Sequence, residues 1–182
     1  MQNHVCNHKL TIFNNGKRVK IRFLKKQDRD DLIIFFQYPH QKDIRFNNGD
    51  DKNSKVLDYC WSQENARQAI TLVAQDMANS LPVAFLNLYR NQKASVENGE
   101  MQQILIIIPF QGQGSDSRLL DELIALASKE QLCWLKLKVM AELEPVIQAF
   151  QSKKFEVRAI FEDYLKDPKG KMHDVALMMR PI

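Results

Sequence analysis

Apolar and polar positions alternate with period two at Val19, Ile21 and Phe23, set between Lys20 and Arg22, which predicts a half-buried first strand. Asp28 follows as a candidate helix cap. Leu32, Ile33, Phe35 and Phe36 then share one helical face up to Tyr38-Pro39, because the residue before proline avoids the helical region. A polar, turn-rich loop covers His40 to Lys55, and Val56 to Trp61 reads as a short helix. Ile70, Leu72 and Ala74 alternate as a strand over Ala69 to Gln75, although the alanines there would also accept a helix. Leu81 to Arg90 and Met101 to Ile108 predict two strands joined by a polar turn, Ser95 to Glu100. The unbroken run Ile104-Leu105-Ile106-Ile107-Ile108 is the pattern of a central strand covered on both faces.

Beyond that strand the period lengthens. Leu119, Leu120, Leu123, Ile124 and Ala127 form the apolar stripe of a helix that opens at Ser115 or Asp116 and ends near Lys129. A strand, Leu132 to Val139, precedes a short helix with Pro145 in its first turn, Val146, Ile147 and Phe150 on its apolar face, and Lys153-Lys154 at its close. Phe155 to Leu165 and Met172 to Met179 flank the turn Asp167-Pro168-Lys169-Gly170, a hairpin signal. The order is mixed α/β, with no repeat or linker to divide it. One domain over residues 1–182 is expected, led by a polar segment, 1–16, that turns at Asn14-Asn15-Gly16.

Composition narrows the class of function. With 45% hydrophobic and 26% charged residues over 182 positions, the chain can bury an ordinary globular core. A net charge of +4 is too weak a field to require nucleic acid or anionic lipid as partner. The basic set Lys17, Arg18, Lys20, Arg22, Lys25 and Lys26 reads as the wet face of the first strand and its turn, without the interleaved aromatics of a stacking surface. The apolar run Ile104 to Phe110 is far short of the roughly 18 residues of a membrane span. The first eight residues lack the apolar core of a secretory signal, and Cys6, Cys60 and Cys133 are too dispersed for a disulfide framework, so a cytoplasmic protein is expected. His4, Cys6 and His8 alternate without an evident fourth ligand, and no metal is assigned.

Candidate chemistry concentrates where the buried strand ends at Pro109. A glycine-bearing turn, Gln111-Gly112-Gln113-Gly114, leads into the helix at Ser115, Asp116 and Ser117. Such a junction aims free backbone N–H groups and a positive helix end at one place, which suits phosphate oxygens. Neither the phosphate-loop lysine nor the third glycine of a dinucleotide fingerprint is present.

Ile107-Ile108-Pro109 followed by Gln111-Gly112-Gln113-Gly114-Ser115-Asp116 and Leu119-Leu120 resembles the GNAT superfamily of acyl-CoA-dependent N-acyltransferases. The strand Leu135 to Val139, the short helix ending in Phe150, Lys154-Phe155-Glu156-Val157 and the hairpin around Asp167-Pro168-Lys169-Gly170 keep the order of that family over about Val19 to Met179. The resemblance implies a twisted, mostly antiparallel sheet of about seven strands with helices on both faces. It implies acetyl-CoA, or another acyl-CoA, as co-substrate and an amine of a small molecule or protein as acceptor. Backbone groups of Ile106 and Ile108 would pair with pantetheine where the fourth and fifth strands splay, Gln111 to Ser117 would hold the pyrophosphate, and Phe150 would lie beside the coenzyme. Many such enzymes dimerise through sheet edges, so a homodimer is left open.

Departures from the family pattern bear on catalysis. Phe150 stands where many relatives place a proton-donating tyrosine, Leu143 replaces a frequent asparagine, and Gln102 or Gln103 stands near the usual glutamate base. Asp116 occupies a position of close approach to pyrophosphate; a carboxylate about 4 Å from a phosphate costs about 1 kcal/mol in water and about 4 kcal/mol at an effective dielectric of 20. Lys154 replaces the glycine that would end its helix in a left-handed conformation. Tyr164 and His173, on the closing hairpin, are the replacement catalytic candidates, although such residues are more often packed or solvated. A catalytically degenerate coenzyme A sensor or a protein-interaction domain is the alternative reading.

Overall fold

The period-two segments assemble into a single sheet of eight strands, and the computed structural model describes residues 9–12, 16–37, 69–91, 98–106, 115–167 and 170–182. The strands are β1 (Lys9–Ile12), β2 (Arg18–Phe23), β3 (Ala69–Asp76), β4 (Pro82–Asn91), β5 (Asn98–Ile106), β6 (Trp134–Met140), β7 (Glu156–Lys166) and β8 (Met172–Pro181). Their order is β1-β2-β3-β4-β5-β6-β8-β7, and every neighbouring pair is antiparallel except β5 with β6. Three helices are described: α1 (Arg29–Gln37), entered through a 3-10 turn at Lys26–Asp28, α2 (Ser115–Lys129) and α3 (Glu144–Ser152).

Helices cover both faces. Leu119, Leu120, Leu123 and Ala127 of α2 and Phe150 of α3 join Ile21, Leu72, Leu86, Leu88, Leu135, Leu137 and Val139 in one buried cluster. On the opposite face α1 packs on β4 and buries Leu32 and Phe35. This is the mixed α/β architecture expected from the order of elements.

Three expectations are adjusted. The lead over residues 1–16 contains a strand: β1 pairs with β2 in the register Leu10↔Lys20 and Thr11↔Val19, which takes the sheet one strand beyond the expected seven or so. Its alternation is inverted, with Leu10 62% and Ile12 56% exposed while Thr11 is buried, as an uncovered edge allows. The polar residues Asn98 to Glu100, expected to turn, open β5, because pairing on both sides satisfies their backbone. Asp28 lies in the 3-10 turn rather than capping α1: its Oδ2 accepts from Lys25 N at 2.7 Å and its carboxylate grips Arg22. Ile108, Gln111 to Gly114, His40 to Lys55, Val56 to Trp61 and Pro168-Lys169 lie outside the described residues.

Candidate active site

The site is built where the one parallel pair comes apart. β5 and β6 are in register only at Asn98↔Trp134, Gly99↔Leu135 and Glu100↔Lys136. Past that point β5 stays with β4 as far as Ile106↔Ala84, and β6 stays with β8 as far as Met140↔Val175, with no further pairing between β5 and β6 among the described residues. A bulge marks the parting. Asn87 faces Gln103 and Leu88 faces Met101, so Gln102 is the extra residue, and an extra residue bends and twists its strand away from a neighbour. The result is a notch at the C-terminal ends of β5 and β6, edged by unpaired backbone that can accept an extended ligand as a strand would.

Helix α2 supplies the second feature. Its last residue, Lys129, is five positions before Trp134, which opens β6, and Leu132 N closes on Ala127 O at 3.0 Å. The helix therefore runs back against its parallel strands, and its N-terminal turn, with Ser115 and Asp116, is at the notch end of the sheet. Ser117 is exposed on that turn. Ile106 is the last residue of β5 and edges the notch; Ile108 and the turn Gln111 to Gly114 fall outside the described residues.

Around the end of β6 the side chains divide by face. Leu135, Leu137 and Val139 are buried in the core, whereas Lys136, Lys138 and Met140 lie half-exposed on the other side. Lys138 reaches across β8: its Nζ donates to Tyr164 Oη at 2.6 Å and lies 4.5 Å from the ring centroid. Tyr164 is 51% exposed, with Phe161 5.3 Å away between ring centroids, so its hydroxyl is held by a cation yet open to solvent. Phe150 is a core residue, 4% exposed and edge-on to Phe155 at 5.4 Å, and its contact with a coenzyme is limited to that sliver of surface. Lys154 does adopt the left-handed backbone, φ 64°, that glycine would take more cheaply by about 1 kcal/mol.

His173 is held on both sides. Its Nδ1 lies 2.8 Å from Glu142 Oε1, just beyond the end of β6, and its Nε2 lies 3.4 Å from Asp167 Oδ2 in the hairpin turn. The hydrogen bond to Glu142, then that to Asp167, raises the imidazole above its ordinary 6.5, against the opposing effects of desolvation and, more weakly, the charge of Lys171. The same bond holds Glu142 below its ordinary 4.5. A ring with carboxylates on both nitrogens favours the protonated form, which donates at both positions and has no lone pair for a substrate proton. His173 and the turn residue Asp167 stand apart from Glu142 in the sequence, and nothing in the spacing marks the three as one cluster.

A pH dependence follows from these directions. The raised histidine stabilises the fold fully below 6.5 and loses that contribution as pH climbs through its higher folded value; the lowered Glu142 stabilises above 4.5 and fails as pH falls through its lower folded value. His173→Asn should therefore lower the unfolding temperature most between pH 4.5 and 6.5 and progressively less in alkaline buffer. Thermal melts of both proteins across pH 4 to pH 9 test this, and a difference that does not vary with pH would contradict it.

An acetyltransferase of the GNAT family from Streptococcus pneumoniae superposes with a TM-score of 0.71 at 22% identity, over 90% of this chain and 99% of that one. The chain has the GNAT fold. The ribosomal-protein-S18-alanine N-acetyltransferase of Escherichia coli gives 0.70 at 19% identity over 90% and 94% of the two chains, and the ribosomal-protein-S5-alanine acetyltransferase of Vibrio fischeri gives 0.72 at 14% over 95% and 96%. No protein-family model matches the sequence, and no curated protein matches it. Among the described residues no helix is long and apolar enough to cross a membrane.

Proposed function

We propose that this chain is an acyl-CoA-dependent N-acyltransferase of the GNAT superfamily, acting in the cytoplasm with acetyl-CoA as its first-choice donor and an amine of a small molecule or protein as acceptor. The observation that carries the reading is the notch, where β5 and β6 part beyond Glu100 and Lys136 at the end that also receives the start of α2. In this reading the backbone of Ile106 and Ile108 pairs with pantetheine, and the amides of Gln111, Gly112, Gln113, Gly114, Ser115, Asp116 and Ser117 receive the pyrophosphate. Phe150 supports the wall of the site from the core. The acceptor's neutral nitrogen attacks the thioester carbonyl, the carbon–sulfur bond breaks, the nitrogen loses a proton, and the departing thiolate takes one to give free coenzyme A. Tyr164, oriented by Lys138, is the proton donor in this scheme, while His173 ties the ends of β6 and β8 together through Glu142 and Asp167.

One observation favours the alternative of a coenzyme sensor without turnover: the residue in the proton donor's usual place, Phe150, is a buried hydrocarbon ring. Calorimetric titration with acetyl-CoA and with coenzyme A decides the first half of the question. Micromolar binding is expected, with a loss of at least about a hundredfold, equivalent to about 2.7 kcal/mol, in Gly114→Glu, where a carboxylate replaces the space for a phosphate. No binding to the native protein would overturn both readings, and binding without thiol release in a screen of amines would leave the sensor. A homodimer belongs to the same proposal: β7 is one of the sheet's two edge strands, with Val157, Ile160 and Phe161 exposed, and sedimentation at several concentrations tests it.

A further inference from the structure

Tyr164 stands where a regular strand would not put it. Opposite residues in an antiparallel ladder share a face, so Phe161, Val175 and Met140 form one row across β7, β8 and β6, on the face that also carries Lys138. Tyr164 is three residues beyond Phe161, and a period of two would turn it to the opposite face. Its ring nevertheless lies 5.3 Å from that of Phe161, and its Oη receives Lys138 Nζ at 2.6 Å. The register explains the departure. Phe161 pairs with Val175 and Leu165 with His173, so Glu162, Asp163 and Tyr164 together stand opposite Asp174 alone. This is a bulge, the device by which a strand re-aims a side chain. At its centre Asp163 has the left-handed backbone, φ 47°, a conformation that a residue other than glycine keeps only where its surroundings hold it. Asp174 supplies the hold: its Oδ1 accepts from Asp163 N at 2.9 Å, and its carbonyl accepts from Ala141 N, just past β6, at 2.9 Å.

We propose that Asp174 is a positioning residue for proton transfer at the notch: by holding the bulge over Glu162, Asp163 and Tyr164, it keeps the Tyr164 hydroxyl on the Lys138 face. The proposal rests on the reading of the notch as the thioester site and of Tyr164 as its proton donor. Lys138 is two residues past Lys136, the last residue of β6 in register with β5, so its hydrogen bond draws the phenol toward the β6 wall of the notch from a strand two places away in the sheet. The same bond decides which proton is available. An ammonium group only donates, so Tyr164 Oη is the acceptor in that contact and its own hydrogen is left for another partner. In the transfer that O–H bond breaks, the proton goes to the sulfur of the departing thiolate, and the phenolate left behind faces the Lys138 ammonium until solvent returns a proton to the half-exposed ring. Blunting of the sheet edge does not account for the arrangement. A separate bulge at Arg158 already interrupts β7, and an interrupted edge needs neither a carboxylate from β8 nor Tyr164 on the Lys138 face.

Fluorine NMR of the protein carrying 3-fluorotyrosine reads the placement independently of activity. The four tyrosines give four signals, and the one missing from Tyr164→Phe belongs to Tyr164. That signal should move in Lys138→Met and in Asp174→Ala, while Asp174→Asn, which keeps an accepting Oδ1, should hold it at its native position; a native signal in Asp174→Ala overturns the proposal. Deletion of Glu162 and Asp163 covers the case in which Asp174→Ala does not fold. It leaves Tyr164 alone opposite Asp174 in a regular ladder, so the ring should turn away from Lys138 and its signal should move; a native signal there also overturns the proposal. In steady-state kinetics Tyr164→Phe, Asp174→Ala and the deletion should each lower kcat at least about tenfold with the KM for acetyl-CoA unchanged, and Asp174→Asn should restore most of it. Equal kcat in Asp174→Ala and Asp174→Asn overturns the role of the Asp174 oxygen. Failure of the native protein to bind coenzyme, or a native kcat in Tyr164→Phe, would instead strike the acyltransferase scheme, and the fluorine signals would still decide whether Asp174 places Tyr164.

Discussion

Asp28→Ala should lower the free energy of unfolding by about 3–5 kcal/mol, the largest loss expected of any single charged residue in the described fold. Arg22 and Asp28 are both buried, and they meet through two bonds, NH1 to Oδ2 at 2.6 Å and NH2 to Oδ1 at 2.8 Å. The carboxylate also receives Lys25 N, while the guanidinium donates to Phe23 O and Gln75 Oε1. This one pair therefore fastens β2, the 3-10 turn before α1, and β3. Removing the carboxylate leaves a nearly buried guanidinium without its counter-charge. Removing both charges, as in Arg22→Leu with Asp28→Leu, should recover most of the loss, since the penalty lies in the unpaired charge rather than in an attraction of comparable size. Urea denaturation of the three variants measures it. A loss under about 1 kcal/mol for Asp28→Ala would place the pair in the class of solvent-screened surface bridges.

Elements were legible in the sequence where one face is buried and the period is therefore imposed by the core. Val19, Ile21 and Phe23, the alternation over Ala69 to Gln75, and the stripe from Leu119 to Ala127 all became the elements they predicted. The polar lead hid β1 because an uncovered edge strand need not turn its apolar side chains inward, and Leu10 and Ile12 do not. The start of β5 was hidden because Asn98, Gly99 and Glu100 are strand residues by virtue of partners on two other strands, which local sequence does not record. The order of elements and the glycine turn after Pro109 pointed to the GNAT fold; the notch itself was not readable, since it depends on a bulge at Gln102 that adds a residue without altering composition. Asp28 has the local pattern of a cap, but its partner, Arg22, lies six residues upstream on a strand whose alternation alone puts its polar face in solvent, whereas the pair is buried. The cluster of Glu142, Asp167 and His173 likewise draws on three separate connections.

Phe150→Ala should cost about 3–5 kcal/mol, comparable to the loss of the Arg22–Asp28 pair but from packing alone. The ring is 4% exposed, lies edge-on to Phe155 at 75°, and belongs to the cluster that joins α2, α3 and the sheet. Phe155 N donates to Phe150 O at 3.1 Å, so the two aromatics are also tied through the end of α3, where Lys154 takes the left-handed turn. This matters for the chemistry as well as the fold. The position is the one at which the GNAT resemblance places a tyrosine, and here it holds a ring whose edges are already occupied by core. Coenzyme affinity of Phe150→Ala, measured well below its lowered unfolding temperature, should change by less than about tenfold, or about 1.4 kcal/mol. A collapse of affinity in a variant that still unfolds cooperatively would instead make Phe150 a direct contact of the coenzyme. Phe150→Tyr separates packing from proton donation: in a ring only 4% exposed the added hydroxyl should be destabilising without raising turnover, and the proton donor is then sought where a phenol is exposed and held by a cation, at Tyr164.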